Sequence, residues 1–420
     1  MEKIISKYLC YQCISNSYLK SYLIKNGELN NCTFCKKHQK SISLEYLADW
    51  IDKIFHDNFR PLSTLEILNK HTNNENFLAM SPQSIIEIIL ESDSTIAKQI
   101  VNYLIDKYFF KDKRSKDYMD YKLTFEEKPV KDIKYSKYWT DFCKNIKHHQ
   151  RFFNSNYLKK LEDIFAIIMN YRFSNNKTAI YEIKPNSEKA TIFRARVADE
   201  KIRKKVLKNP HKELSAPPLK KSKPGRMNPV GISIFYGAFE KSTCIAEIRP
   251  PVDAIAVIGE FKIIKPIHVL DLTLFDDPCL SKKVWPSMFH PKFNQKIREL
   301  KFIKKFHYEI SKPILRNGEP LEYIPTQAFT EFLANHCKPK LDGIIFTSSL
   351  TGKTGKNITL FNTTTMIENS IASAVENKFI KRTVLTISTK NLEIVKIVKS
   401  VPESIQINNP AVEPQNIHLI

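Results

Sequence analysis

Glycine is scarce in this chain, which has only 9 glycines among 420 residues. Loops that cradle phosphate depend on glycine, because the backbone itself must approach the phosphate oxygens. The two familiar nucleotide motifs, G-x-x-x-x-G-K-[ST] and G-x-G-x-x-G after a strand, are both absent. A phosphate-bearing ligand would therefore be held by side chains, and arginine suits this task because its planar fork binds phosphate oxygens in pairs.

Long apolar runs are also missing. No stretch of about 18 uncharged apolar residues occurs, which argues against a membrane-spanning segment and a membrane partner. The first residues, MEKIISKYLCYQC, are polar where a secretory signal peptide needs an apolar core. We therefore expect a cytoplasmic protein, and its length predicts two or three domains.

Acidic residues are outnumbered, with 44 Asp and Glu against 66 Lys and Arg and a formal net charge of +22. This balance favours an anionic substrate or a polyanionic partner such as nucleic acid. Much of the charge is lysine scattered singly, as on an ordinary solvated surface. The densest basic run, residues 201–226, contains several prolines and is predicted to be a mobile loop.

Four of the eight cysteines form two C-x2-C motifs, namely Cys10, Cys13, Cys32 and Cys35. This spacing lets two thiolate pairs converge on one zinc ion. In a reducing compartment such pairs favour metal binding over disulfides, with reduced or redox-active thiols as the alternative. Four protein ligands would fill the coordination shell, so we predict a structural zinc knuckle over residues 1–43.

Apolar residues recur at intervals of three and four from Leu44 to about Phe173, which predicts helices. In YSKYWTDFCKNIKHHQRFF this spacing puts Trp139, Phe142 and Ile146 on one helical face, as expected for core packing.

Beyond residue 190 the sequence pattern changes. Short runs rich in β-branched and aromatic residues, which predict strands, alternate there with helical segments; examples are ATIFRARV, GISIFY and DGIIFT. We predict an α+β protein. Its parts are a knuckle (1–43), a helical domain (44–185), a domain of strands and helices (190–400) and a loosely ordered tail (401–420).

Alternation in ATIFRARV places Arg194 and Arg196 on one face of a strand with apolar neighbours. A guanidinium near a core needs an anionic partner. That partner is either a ligand or an acidic residue in an internal salt bridge.

The segment GRMNPVGISIFYGAFEKSTCIAEIRP, residues 225–250, concentrates polar candidates around two apolar runs. Arg226 and Asn228 leave the basic loop and enter a predicted strand that ends at Tyr236. A short helix carrying Glu247 follows, and Pro250 ends it.

Here the chain resembles a known family. The segments FRAR, residues 225–250, IPTQAFTEFL and DGIIFTSSLTGKTGKNITLF occur in the order found in the RES domain of bacterial toxin–antitoxin toxins, and the resemblance covers about residues 190 to 365. The amino-terminal half is similar to the zinc-knuckle and HEPN-like region that precedes some larger RES proteins. The R-x4-6-H pattern of HEPN nucleases is absent, so no RNase activity is implied.

The resemblance implies a fold similar to ADP-ribosyltransferases, an activity that degrades NAD+ or transfers its ADP-ribose, and an antitoxin protein as partner. The family's two arginines, tyrosine, glutamate and serine fall on Arg194, Arg226, Tyr236, Glu247 and Ser348. Ser349 is the alternative serine, because FTSS has threonine where the family commonly has proline. Asn228 joins the arginines and the tyrosine as a predicted NAD+-binding residue.

The chemistry of the residues agrees with this assignment. Nicotinamide leaves the ribose as a neutral ring, so the leaving group needs no proton and one carboxylate is enough. An ionised Glu247 would stabilise the oxocarbenium-like sugar. Arg194 and Arg226 would clamp the pyrophosphate, while Tyr236 and Ser348 would contact the nicotinamide end.

We therefore predict a RES-type toxin that cleaves the nicotinamide–ribose bond of NAD+ by hydrolysis or phosphorolysis. Within the same fold the alternative is an ADP-ribosyltransferase that modifies a protein target. An alternative of another class is a non-catalytic, zinc-containing protein that binds nucleic acid.

Overall fold

The protein is represented by a computed structural model. It describes residues 7–72, 79–92, 94–111, 124–128, 133–152, 154–173, 177–276, 287–312, 320–352, 354–361, 366–367 and 383–398. The predicted tail, 401–420, lies outside the described residues. Two compact units are present: described residues up to 128 and 287–298 form the first, and those from 133 to 276 and from 299 to 398 form the second.

The helices in chain order are α1 (Ser17–Asn26), α2 (Leu44–Asn58), α3 (Thr64–Thr72), α4 (Pro82–Leu90), α5 (Ser94–Lys111), α6 (Ile133–His148), α7 (Ser155–Asn170), α8 (Glu200–Lys208), α9 (Pro210–Glu213), α10 (Lys241–Glu247), α11 (Phe293–Ser311) and α12 (Ile324–Asn335). The strands are β1 (Tyr8–Cys10), β2 (Glu28–Asn31), β3 (His38–Ser43), β4 (Phe59–Pro61), β5 (Phe125–Glu127), β6 (Ile180–Ile183), β7 (Thr191–Val197), β8 (Phe235–Ala238), β9 (Ile255–Ile263), β10 (Ile267–Asp271), β11 (Gly343–Thr347), β12 (Lys356–Leu360), β13 (Met366–Ile367), β14 (Thr383–Thr386) and β15 (Leu392–Lys396).

The first unit combines a small antiparallel sheet, in the order β1-β3-β2, with helices α1 to α5. Helix α2 shows why the sequence folds this way. Its apolar residues recur on one face, where Leu47, Ile51 and Phe55 are fully buried in the core of this unit. The Ser43 hydroxyl accepts a hydrogen bond from the N–H of Tyr46 and thereby caps the first turn.

The second unit is built on a ten-stranded mixed sheet. Its strand order is β13-β14-β9-β7-β8-β12-β11-β10-β6, and β15 pairs with β9 outside this path. The pairs β10–β11 and β13–β14 are parallel, and the remaining pairs are antiparallel. The predicted α+β class is confirmed, and strands β7, β8, β12 and β11 lie side by side in the middle of the sheet.

Helices α6 and α7 belong to the second unit, which differs from the predicted boundary between a helical domain and a strand-rich domain. The face predicted for α6 is buried, since Trp139, Phe142 and Ile146 lie in the same core as α11 and α12. The Trp139 ring meets that of Phe306 edge to face, with centroids 4.9 Å apart. Because α6 and α7 bury apolar residues in the same core as the sheet, both helices belong to the second unit.

Two local predictions were wrong. Residues 201–208 of the basic run belong to helix α8 and do not form a loop. The Asp199 side chain caps this helix by accepting from the Ile202 N–H, and Val206 on the helix is buried. The strand expected over GISIFY begins only at Phe235. Its first residues form a turn at Gly231, whose φ of +82° is a conformation that glycine adopts readily.

Among the described residues, none of the helices has the length and apolar character needed to cross a bilayer.

Candidate active site

Four of the predicted site residues lie on or directly after the central strands and α10. Arg194 lies on β7, Tyr236 on β8, and Ser348 directly after β11. Register links these strands, since Ala238 of β8 pairs with both Phe193 of β7 and Asn357 of β12. Residues far apart in sequence therefore meet on neighbouring strands.

Glu247 is held by two donors. It is the last residue of α10, and its Oε1 accepts from Ser348 Oγ at 2.7 Å and from Asn357 Nδ2 at 2.6 Å. Both donors are buried, at 0% and 6% exposure, whereas Glu247 itself is exposed. The carboxylate of this exposed residue is thus fixed through one oxygen by two buried donors.

The Ser348 hydroxyl is oriented by its backbone surroundings. Its Oγ accepts from the N–H of Leu350 at 3.2 Å, which leaves the hydroxyl proton for Glu247. The Ser348 N–H donates to the carbonyl of Gly355 at 2.8 Å. Between the two candidate serines, Ser348 is the one in contact with the carboxylate.

Asn357 was missed by the sequence analysis. It is one of three polar residues in the segment KNITLF, and nothing in that pattern distinguishes it from the other two. Its contact with Glu247 joins residues 110 positions apart. Only the pairing of β12 with β8 brings it beside α10.

A close approach of backbone to helix positions α10. A Cβ on Gly355 would lie 1.9 Å from Thr243 Oγ1, so only glycine fits there. Glu240 completes this attachment, since its Oε2 accepts from the hydroxyl of Thr243 and from the N–H of Lys356, each at 2.9 Å. The segment that precedes β12 thereby locks the helix that carries Glu247.

Arg194 and Arg196 share a face of β7 but have different partners. Arg196 donates to Glu213 Oε2 at 3.1 Å, which is the internal salt bridge considered above. Arg194 donates only to the carbonyl of Tyr236, at 3.1 Å, and its Cζ lies 5.0 Å from the centroid of the Phe235 ring. Among the described residues it has no carboxylate partner. Burial lowers the pKa of Arg194 to about 10, so the guanidinium stays charged at neutral pH.

Arg226 is anchored at the end of α11. Its Nη1 donates to the carbonyl of Ser311 at 3.0 Å and its Nη2 to that of Lys312 at 2.6 Å. The remaining N–H groups of the guanidinium stay free of these carbonyls. Burial lowers the pKa of Arg226, whereas the nearby charge of Glu247 acts to raise it. The guanidinium of Arg226 and the carboxylate of Glu247 therefore attract each other.

Tyr236 and Asn228 form one hydrogen-bonded unit. The tyrosine hydroxyl donates to Asn228 Oδ1 at 2.7 Å and accepts from the N–H of Met227 at 3.0 Å. The Asn228 amide donates to carbonyls of its own loop, among them that of Ile232 at 2.9 Å. A Cβ on Gly225 would lie 2.7 Å from Asn228 Oδ1, so the loop closes tightly over this pair. Asn228 therefore organises the loop, and Tyr236 has only its ring left to offer.

Both guanidiniums act on Tyr236. Burial raises the pKa of its phenol, while the charges of Arg226 and Arg194 oppose that shift. The tyrosine thus lies within the field of two cations, one of which is also in the field of Glu247. Chemically this is a cationic surface for phosphate oxygens beside one fixed carboxylate.

The four amino-terminal cysteines also converge. Sγ distances are 3.7 Å for Cys10–Cys13, 3.5 Å for Cys10–Cys35 and 3.8 Å for Cys13–Cys32, and all four atoms lie within 4.8 Å of one another. A tetrahedral ion with metal–sulfur bonds of about 2.3 Å would need sulfurs about 3.8 Å apart.

The backbone favours the thiolate form at one of these cysteines. Burial raises the pKa of Cys32, but the N–H groups of Cys35, Cys10 and Phe34 outweigh it and lower that pKa, whereas burial raises the pKa of Cys10 and of Cys13. The cluster therefore fits a tetrahedral metal ion in both its geometry and its ligand type.

Comparison with known proteins agrees in part with these observations. The family model of the RES domain matches residues 205–377. This segment contains Arg226, Asn228, Tyr236, Glu247 and Ser348, whereas Arg194 precedes it. No curated protein and no solved structure matches the chain. The likeness to ADP-ribosyltransferases and the HEPN-like character of the helical part stay predictions.

Proposed function

We propose that the second unit cleaves the nicotinamide–ribose bond of NAD+. The observation that carries this proposal is the carboxylate of Glu247, held through one oxygen by Ser348 and Asn357 and attracted electrostatically to the guanidinium of Arg226. The match of residues 205–377 to the RES domain supports NAD+ as the substrate.

Glu247 acts electrostatically in this proposal. As the carbon–nitrogen bond lengthens, positive charge develops on the ribose, and the negative charge of the Glu247 carboxylate stabilises it. The bonds from Ser348 and Asn357 hold the carboxylate in place before the reaction, so no reorganisation is needed during bond cleavage. Nicotinamide takes the bonding electrons and leaves as a neutral ring.

The two arginines bind the diphosphate. Arg226 retains free N–H groups after capping α11, and Arg194 has no competing carboxylate among the described residues. A phosphate oxygen supplies the anionic partner that a half-buried guanidinium requires. The Tyr236 ring, whose hydroxyl is engaged, faces the nicotinamide end.

Water completes the reaction by adding to the anomeric carbon, and its proton passes to solvent, which yields ADP-ribose and nicotinamide. Phosphate or a protein side chain in place of water would give ADP-ribose 1″-phosphate or a modified protein. Incubation with labelled NAD+ distinguishes these products.

The decisive experiment replaces Glu247 by glutamine, which keeps the shape and loses the charge. We expect kcat for NAD+ loss to fall by about 100-fold or more, since a group of this kind contributes about 3 kcal/mol to the transition state. Glu200→Gln is the matched control, because Glu200 is an exposed carboxylate on α8 paired with Lys204. A normally folded Glu247→Gln protein that depletes NAD+ at the wild-type rate would refute the proposal.

We also propose that Cys10, Cys13, Cys32 and Cys35 hold a structural zinc ion as thiolates. The distances between their sulfurs support a tetrahedral site with no open position for catalysis. An antitoxin remains the partner that the family resemblance implies.

A further inference from the structure

A buried histidine touches the strand end that carries Ser348. His307 of α11 is 1% exposed, and its Nε2 lies 3.1 Å from both the backbone nitrogen and the Oγ1 of Thr347. Thr347 is the last residue of β11 and directly precedes Ser348.

The topology explains why a side chain is needed here. The Ser348 N–H turns toward β12 and donates to Gly355, so the N–H of Thr347 faces the opposite side, where β10 would lie. Strand β10 ends at Asp271, which pairs with Ile345. A buried N–H without a partner is costly, and His307 accepts it where the strand has ended.

This contact also fixes the tautomer of His307. Because Nε2 accepts from the Thr347 N–H, the ring proton is on Nδ1, which lies 2.7 Å from Asp276 Oδ2 and donates to it. Asp276 therefore holds the ring in the orientation that serves Thr347.

The same helix end also holds Arg226. The carbonyls of Ser311 and Lys312 accept from its guanidinium, and the Oγ of Ser311 lies 3.5 Å from Thr347 Oγ1. The carboxyl end of α11 thus contacts two parts of the proposed active site, the guanidinium of Arg226 and Thr347.

We propose that His307 is a positioning residue for NAD+ cleavage: through Thr347 it fixes the backbone that aims the Ser348 hydroxyl at Glu247. The inference rests on the proposed function. It assigns to the Asp276–His307–Thr347 chain no contact with the substrate and no proton transfer.

Two isosteric variants separate the contacts of the ring. His307→Gln retains an amide oxygen near the position of Nε2, which can accept from Thr347. His307→Asn retains a donor near Nδ1 for Asp276 but cannot reach Thr347. We expect kcat to fall about 10-fold in His307→Asn and to recover to within about 3-fold of wild type in His307→Gln, with KM for NAD+ unchanged in both.

A double-mutant cycle with Ser348→Ala tests the route of the effect. If His307 acts through Ser348, adding His307→Asn to Ser348→Ala should reduce kcat by less than about 2-fold. His268→Asn, at an exposed histidine on β10, is the control that leaves kcat unchanged.

The outcomes are distinguishable. A wild-type protein that does not consume NAD+ overturns the proposed function and this inference with it. If the wild type is active and Glu247→Gln is not, the inference alone is overturned by either of two results. One is an equal loss in His307→Gln and His307→Asn that follows their melting temperatures, and the other is a full 10-fold loss of kcat in the Ser348→Ala background.

Discussion

Replacing Arg194 by methionine should separate ligand binding from folding. Methionine fills a similar volume without the charge. Burial lowers the pKa of Arg194 to about 10, from an ordinary value near 12.5, which corresponds to about 3 kcal/mol against the charged folded state. This cost is present in full at neutral pH, because the group is charged in both the folded and the unfolded chain below the lowered pKa.

Two contacts offset the cost. The charged hydrogen bond to the Tyr236 carbonyl, 3.1 Å long, contributes about 1.5 to 3 kcal/mol. The Phe235 ring, 5.0 Å from Cζ, contributes about 0.5 to 1 kcal/mol. The terms nearly cancel, so we expect the free energy of unfolding of Arg194→Met to lie within about 1 kcal/mol of the wild-type value. This difference corresponds to about 2 to 4 °C in Tm.

Substrate binding should respond quite differently. Loss of a charge-assisted bond to phosphate costs about 1.5 to 3 kcal/mol, so KM for NAD+ should rise by about 10- to 100-fold. Arg196→Met, on the same face of β7, is the matched control: it loses its ion pair with Glu213, worth at most about 1 kcal/mol, and keeps its KM.

The assay combines NAD+ consumption over a range of substrate concentrations with thermal unfolding of both variants. An Arg194→Met protein with wild-type KM would refute the phosphate-binding role. One that loses more than about 3 kcal/mol of unfolding free energy would show that the guanidinium serves folding instead.

Two shorter predictions concern other parts of the molecule. Asn357→Asp removes the N–H that holds Glu247 Oε1 and places a second carboxyl beside it, so repulsion should displace the carboxylate and kcat should fall at least about 10-fold. A wild-type kcat in this variant would count against the role of Asn357 in holding Glu247. Zinc content, measured by mass spectrometry of the metal, should fall in Cys35→Ser from about one ion per chain. Cys143→Ser should keep the ion, and retention in both variants would remove Cys35 from the ligand set.

Local signals predicted elements well where the chain itself supplies the cause. Helix α10 was predicted from the prolines that follow it, and the buried face of α6 from its spacing. Strand β7 was predicted from the alternation of arginine with apolar residues in ATIFRARV. Each of these rests on neighbours in sequence, which periodicity and turn residues report directly.

The support of the site could not be predicted in this way. Asn357 and His307 reach the site through contacts across 110 and 40 positions, which depend on where β10 ends and which strand pairs with β12. No spacing in the sequence encodes those facts. The choice between ligand and salt bridge for Arg194 and Arg196 was likewise open until α9 placed Glu213 beside Arg196.

The position of Glu247 goes against an ordinary local preference. A carboxylate at the last residue of a helix faces the negative end of the helix dipole and the unpaired carbonyls there. The chain that follows is also unfavourable, since Arg249 adopts a positive φ of 43° directly before Pro250. Such costs persist when other elements over-determine the conformation, and here β11 and β12 supply the two donors to Glu247 while Gly355 admits the helix. Since folding alone would be served as well by a neutral residue at this position, the unfavourable placement of the carboxylate supports the proposed requirement for negative charge beside the middle strands of the sheet.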